Sequence, residues 1–302
     1  MKLLVTGGTG FIGRPLCESL TQDGHELLVL TRRLQQQPPR PRVTFLPWDT
    51  SEWQHRIGDM DAIINLAGEP LAARRWTPRQ KLRLWESRVA STHRLISTLA
   101  VLPQRPAVLV NASAIGYYGA QGDATLTEAD PPGRGFLADL CREWEAQARR
   151  AEPLGLRVVR LRLGVVLAAD GGALEKMVPP FRWFMGGPLG SGRQWMSWIH
   201  RDDAIGLIRW ALESPQVAGA VNATAPEPVT MRELASGLGR ALRRPSWAPV
   251  PSFVLKALLG DMADVVVTGQ RVVPETAKRQ GYAFRYSQLP QAHAACLASN
   301  DR

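Results

Sequence analysis

The segment Thr6-Gly7-Gly8-Thr9-Gly10-Phe11-Ile12-Gly13 constrains the chain more than any other. It follows the aliphatic run 2–6 and leads at once into Phe11, Ile12, Leu16 and Leu20, which are apolar at helical spacing. The order is strand, tight turn, helix. Gly8, Gly10 and Gly13 satisfy G-x-G-x-x-G, whose glycines let the backbone turn sharply and let a pyrophosphate approach the N-terminus of the helix. On its own that pattern is weak evidence. The strand-turn-helix setting, with a second strand at 26–31 (ELLVLT) about twenty residues further on, makes it a dinucleotide-binding turn.

Further strands are expected at 43–46, 62–67 (AIINLA), 107–112 (AVLVNA) and 157–163 (RVVRLRL), mostly apolar on both alternations, as in parallel sheets covered on both faces. Between them Thr77-Pro78-Arg79-Gln80 reads as a capping box opening a helix to about Ala100, and a second helix is expected near 136–150. After Val166 a Gly- and Pro-rich stretch gives way to WMSWIH, Asp202 is expected to cap a helix through Glu213, and Thr230-Met231-Arg232-Glu233 opens another. The last 50 residues read as two short helices with loops. The fold class expected is α/β, a Rossmann-type doubly wound parallel sheet with a smaller C-terminal substrate lobe. Residues 1–166, with later segments around 195–225, form the first domain, and 167–302 form most of the second lobe, the two sharing one cleft.

Composition narrows the setting. The three cysteines, Cys17, Cys141 and Cys296, are scattered without a CxxC or Cys/His cluster, so neither a disulfide framework nor a metal site is expected. The apolar run at the N-terminus is too brief for a signal peptide or a membrane span, which favours a soluble, cytoplasmic protein with no membrane partner. The formal net charge is +10, and only five of 37 basic residues are lysine. Those residues are dispersed, with no basic tail, basic helix or aromatic RNA motif, so they read as a solvated surface and not as a nucleic-acid site.

Where the second strand ends, an acidic residue would bind a free adenosine ribose. Thr31-Arg32-Arg33 stand there instead. Guanidinium groups at that point suit a 2′-phosphate through charge-assisted hydrogen bonds, which selects NADP(H).

At these residues the sequence resembles the extended branch of the short-chain dehydrogenase/reductase superfamily, whose G-x-x-G-x-x-G is present as Gly7, Gly10 and Gly13. Asn65-Leu66-Ala67-Gly68, Ser113 followed by Tyr117-Tyr118-Gly119, and Trp198-Ile199-His200-Arg201-Asp202-Asp203 sit where that branch has comparable segments. More closely it resembles the atypical, YfcH-like group labelled "epimerase family protein", through NLAGEP, GYYG, GGPLGSGRQ and a C-terminal module from about residue 250. The resemblance spans nearly the whole chain and implies cofactor contacts from Gly7, Gly10, Phe11, Ile12, Gly13, Thr31, Arg32, Arg33, Leu66, Ala67, Gly68, Glu69, Arg88 and Val166.

The superfamily's catalytic set is an Asn, a Ser and a Tyr-x-x-x-Lys pair, in which tyrosine exchanges a proton and lysine lowers its pKa. Of these only the serine is present, as Ser113. Arg88 falls at the Asn position, Leu137 at the Tyr position and Cys141 at the Lys position, with Phe136 replacing Leu137 if the alignment slips by one. Neither leucine nor phenylalanine carries a proton. Tyr118 and Tyr117 are the candidate donors beside Ser113, or else cleft wall. Cys141 is a titrating thiol if Arg88 lowers its pKa, or inert core. Glu69 is a cofactor-ribose partner or an acid at the cleft edge, and Arg88 holds a phosphate, ribose or carboxylate, or makes a plain salt bridge. The resemblance also places 186–194, with Trp195 and Trp198 as aromatic walls, on the substrate side, whereas His200 reads as a structural hydrogen-bonding residue.

These readings imply an NADP(H)-dependent oxidoreductase or epimerase-like enzyme on a small molecule, phosphorylated or nucleotide-linked. The missing Tyr and Lys leave a non-catalytic NADPH-binding or sensing protein as the alternative.

Overall fold

A computed structural model describes residues 1–298. Seven strands form its central sheet: β1 (Lys2–Thr6), β2 (Glu26–Thr31), β3 (Val43–Pro47), β4 (Ala62–Asn65), β5 (Val108–Ala114), β6 (Arg157–Leu163) and β7 (Gly219–Ala223). Their spatial order is β7-β6-β5-β4-β1-β2-β3, and every neighbouring pair is parallel. The winding reverses between β1 and β4, where Thr6 pairs with Asn65. The crevice outside the carboxyl ends of strands at such a switch point is where open α/β sheets bind ligands.

The helices that shape this edge are α1 (Gly13–Gln22), α2 (Pro78–Trp85), α3 (Ser91–Ala100), α4 (Phe136–Arg149), α5 (Gly172–Arg182), α6 (Arg201–Glu213) and α7 (Met231–Leu242). Strand alternation sorts the core. Leu3 and Val5 pack with Leu16 and Leu20 of α1 and Ile208 of α6, while Leu4 packs with Leu95 and Leu99 of α3 and Ala148 of α4 on the opposite face. The sheet is therefore covered on both sides, which is why its strands are apolar on both alternations. Arg157 at the start of β6 donates to the carbonyls of Ala211, Leu212 and Val217 at 2.6–3.0 Å, satisfying orphan carbonyls at and beyond the end of α6.

Helix starts follow the sequence in part. Thr230 and Glu233 form both halves of the capping box on α7. At α2 only one half forms: Thr77 Oγ1 accepts from Gln80 N at 3.2 Å, but the Gln80 amide is buried and has no hydrogen-bond partner among the described residues. Asp202 does not cap α6. His200 does, its Nδ1 accepting from Asp202 N at 3.1 Å, because the short strand Trp198–His200 holds His200 extended one residue before the helix. Asp202 and Asp203 instead occupy the first turn, where the helix dipole favours carboxylates.

The C-terminal region holds more helix than expected: α8 (Ser252–Leu259), α9 (Met262–Thr268), a five-residue helix over Glu275–Arg279 and α10 (Leu289–Ala298). Its connections are held by distant carboxylates. Asp203 accepts from the backbone N–H groups of Arg285 and Tyr286 at 2.8 Å, and Glu128 accepts from Thr276 N at 3.2 Å. Among the described residues no helix is long and apolar enough to cross a membrane.

Candidate functional site

The glycine turn leaves β1 and enters α1. Gly7 has φ +69°, a left-handed conformation, and a Cβ there would lie 2.5 Å from the Leu66 carbonyl oxygen just past β4. A Cβ on Gly13 would overlap the Gly7 carbonyl oxygen. The turn is closed by Gly10 N donating to Gly7 O at 3.0 Å and Arg14 N to Gly10 O at 2.9 Å. Ile12, at the N-cap of α1, has no polar side chain to cap with; Arg14 N is taken by Gly10 O and Pro15 has no N–H, so the Gly13 amide is the one in the first turn left to an anion. Gly8 is set apart from this cradle, since its Cβ would meet Val29 and Cys17 in the core. Phe11 reaches the start of α5, where its ring lies against Gly171 and Gly172, and Gly172 also approaches the Val166 carbonyl.

At the end of β2, Thr31 is buried and its Oγ1 accepts from Arg33 N at 3.1 Å, while Arg32 and Arg33 are exposed. Arg32 Nη1 lies 3.6 Å from Glu69 Oε2 across the mouth of the cleft. Behind β4 the backbone is fixed by buried polar contacts. Ala67 N donates to Thr6 Oγ1, Thr6 Oγ1 to Asn65 Oδ1, and Asn65 Nδ2 to both Thr92 Oγ1 and Asn111 Oδ1. This network ties Leu66, Ala67 and Gly68 to the ends of β1 and β5.

The chain between α2 and α3 winds as a π-helical turn, Glu86–Ala90, a form often found at functional sites. It aims Arg88 at the β4 exit: Nη2 donates to the Glu69 carbonyl at 2.9 Å, and a Cβ on Gly68 would be 3.0 Å from the guanidinium. The guanidinium also stacks 5.3 Å from the Trp144 ring. Burial lowers the Arg88 pKa from its ordinary value, against the opposing pull of Cys141 and Glu69. Arg88 thus bridges to a carbonyl rather than forming the plain salt bridge that was the other expectation.

Ser113, Tyr117 and Tyr118 converge with three residues that the sequence reading did not single out. Ser113 Oγ, buried, donates to Glu145 Oε1 at 2.8 Å. The Glu145 carboxylate is 2% exposed and is clamped by Arg162, Nε to Oε1 at 2.8 Å and Nη2 to Oε2 at 3.0 Å. Arg162 Nη1 donates to Tyr118 Oη at 2.8 Å, and Tyr118 Oη donates to Asn222 Oδ1 at 2.7 Å. Burial works against the charge of Arg162, yet the hydrogen bonds and charge of Glu145 raise its pKa above the ordinary value. Burial likewise pushes the Tyr118 phenol up to about 12, outweighing Arg162. Tyr118 is fully buried, with its hydroxyl engaged on both sides. Tyr117 is half-buried, its ring 3.5 Å from the Arg162 guanidinium carbon and edge-on to Tyr118.

The signals for Glu145 and Arg162 lay in pattern. Glu145 sits among Leu140, Cys141, Trp144 and Ala148 on the buried face of α4, and Arg160 and Arg162 fall on one face of β6 (RVVRLRL), a strand covered on both sides. A charge on a core face needs a partner.

One expectation, Trp198 as a cleft wall, is corrected, and the other residues resolve between the readings given for them. Cys141 is not a titrating thiol, because burial, reinforced by Glu145, raises it to about 12 and Arg88 does not offset this. Leu137 packs on Gly116, and Phe136 packs edge-on to Trp76. Trp198 is core, fully buried with Nε1 donating to the Glu227 carbonyl, so it is no cleft wall. The 186–194 loop is tied to itself and to α9, Gln194 Nε2 donating to the carbonyls of Leu189 and Val266. His200 caps α6 and lies against Tyr286, and its pKa is lowered by burial.

The family model described as "NAD dependent epimerase/dehydratase family" matches residues 3–223, and a domain of unknown function, DUF1731, matches 250–296. The epimerase family protein SDR39U1 homolog, chloroplastic, of Arabidopsis thaliana is 44% identical over 98% of this chain and 87% of its own length. The epimerase family protein YfhF of Bacillus subtilis is 36% identical, covering 99% of this chain and 98% of its own. A crystal structure of human epimerase family protein SDR39U1 (isoform 2) with NADPH superposes with a TM-score of 0.87 at 34% identity, covering 99% of each chain. With a glycine turn at the switch point and relatives matching along almost its full length, the chain belongs to the NAD dependent epimerase/dehydratase family, in the group of epimerase family proteins.

Proposed function

We propose that the protein is an NADP(H)-dependent oxidoreductase or epimerase-like enzyme acting on a small substrate, phosphorylated or nucleotide-linked. The observation that carries the cofactor half is the exposed pair Arg32 and Arg33 at the end of β2, beside a glycine cradle that any side chain at position 13 would fill. The human relative crystallised with NADPH supports the same choice. The glycine turn and the Gly13 amide would hold the pyrophosphate, Arg32 would exchange Glu69 for the 2′-phosphate, and Arg88 with Glu69 would border the site at Gly68. When bound, the nicotinamide supplies a carbon that gives or accepts hydride.

On the protein side, Tyr117 is the proton donor, since Tyr118 is sealed in the core. Ser113 acts as a positioning residue through Glu145 and Arg162, which set the Tyr117 ring, and not by direct hydrogen bonding to substrate. Calorimetric titration tests the cofactor half. Arg32→Ala should weaken NADPH roughly tenfold or more while leaving NADH unchanged, and equal loss for both cofactors would refute the phosphate assignment. For the chemistry, Tyr117→Phe should lower kcat by about a hundredfold with NADPH affinity retained.

A second reading, non-catalytic NADPH binding, is favoured by Leu137 and Cys141 at the Tyr and Lys positions and by the internal engagement of the Ser113 and Tyr118 hydroxyls. It predicts tight NADPH binding with no oxidation against a broad panel of carbonyl and nucleotide-sugar compounds.

A further inference from the structure

At the end of α5 remote from the glycine turn, Trp183, Phe184 and Met185 are 78%, 54% and 61% exposed. Trp247, 67% exposed, folds back on them, its Nε1 donating to the Phe184 carbonyl at 3.0 Å. The two segments then run side by side, Ala248 N donating to Gly186 O at 3.1 Å and Val250 N to Pro188 O at 3.0 Å. Four large apolar side chains therefore form the tip of one ribbon.

The backbone there is strained. Phe184 has φ +61° and Arg243 has φ +55°, and Arg42 is the one other non-glycine residue in the left-handed region among those described. An aromatic residue in that conformation recovers little of the strain through burial when more than half of it is exposed. The charge around it is one-sided. Along the chain, 182–199 and 234–255 contain no carboxylate, while Arg182, Arg193, Arg240, Arg243 and Arg244 lie within them. Arg182, Arg243 and Arg244 are exposed, and none has a carboxylate within 4.0 Å among the described residues.

We propose that this tip docks on an anionic membrane surface, with Trp183, Phe184 and Met185 entering the headgroup boundary and the arginines meeting lipid phosphates. Such a contact needs no spanning helix. The Phe184 ring is itself covered on one side by Arg244, 4.5 Å from its centre, and retention on oligonucleotides is the outcome that would favour nucleic acid instead.

Co-sedimentation of the full chain with vesicles tests the assignment. Binding is expected on phosphatidylglycerol-rich vesicles, not on neutral phosphatidylcholine, and should fall as salt rises. Arg243→Ala should weaken it about fivefold. Phe184→Gly relieves the left-handed strain, so it should leave the melting temperature unchanged or higher while weakening vesicle binding roughly tenfold. Four results would overturn the proposal: no preference for anionic vesicles, undiminished binding by Phe184→Gly, retention on oligonucleotides abolished by the same variants, or a dimer in solution that Phe184→Gly dissociates. Loss of NADPH affinity in Phe184→Gly would also overturn it, by assigning the tip to the cleft.

Discussion

Two parts of the same sheet edge are built by different means. Residues 7–13 shape their surface with backbone, since the turn needs little more than the absence of side chains at Gly7 and Gly13. A few strands away, Ser113, Glu145, Arg162, Tyr118 and Asn222 shape theirs with buried charge, each group holding the next. The first design is local and rests on close backbone approach rather than on any charged side chain. The second depends on every member, because a buried charge left without its partner retains the full cost of desolvation.

Glu145→Ala puts the greatest load on this contrast. It strands Arg162 in the core and should cost about 3–5 kcal/mol in urea unfolding; a cost near that of a surface substitution would show that the cluster is solvated. His293 in α10, fully buried, extends the contrast to pH. Burial lowers its pKa from 6.5 to about 4, so the native state binds fewer protons than the unfolded chain, and its contribution is complete above pH 6.5 and lost as pH falls toward 4. Roughly 3 kcal/mol should disappear over that window, and a His293→Gln protein should show a flatter pH profile.

Gly13→Ala should weaken NADPH about a hundredfold, equivalent to about 2.7 kcal/mol, by displacing the Gly7 carbonyl. Its effect on stability should remain smaller than that of Glu145→Ala, and the reverse ranking would break the distinction between the two regions. The smallest effect is expected for Ser113→Ala, about 1 kcal/mol, because Arg162 keeps Glu145 paired.

The same distinction explains what could be read from residues alone. The turn at 7–13 and the capping box at Thr230 and Glu233 are legible because each is complete within a few positions of the chain. The Thr77–Gln80 box, equally regular in sequence, forms only in half, since tertiary packing takes the glutamine side chain into the interior. Cys141 stood open between thiol chemistry and inert core, because its environment is assembled by β5, α4 and Arg88 from three stretches of chain. The Glu145 cluster draws on four separate elements and a turn, and no spacing rule reports such convergence. The order of the C-terminal region escaped for a similar reason, as Asp203 and Glu128 lie far from the loops they hold.

The π-helical turn at Glu86–Ala90 makes the run from 78 to 100 two cylinders coupled with a fixed phase offset. An α-helix advances about 100° per residue, so deleting one residue from the turn would let it close as ordinary helix and rotate one half against the other by that angle. Thr92, Leu95 and Leu99 are anchored behind the sheet, so the half bearing Arg88 and Leu84 would have to swing. The guanidinium would then leave Gly68 even though Arg88 itself is retained. Chain length within this helix is therefore as much a determinant of the site as the identity of any side chain in it.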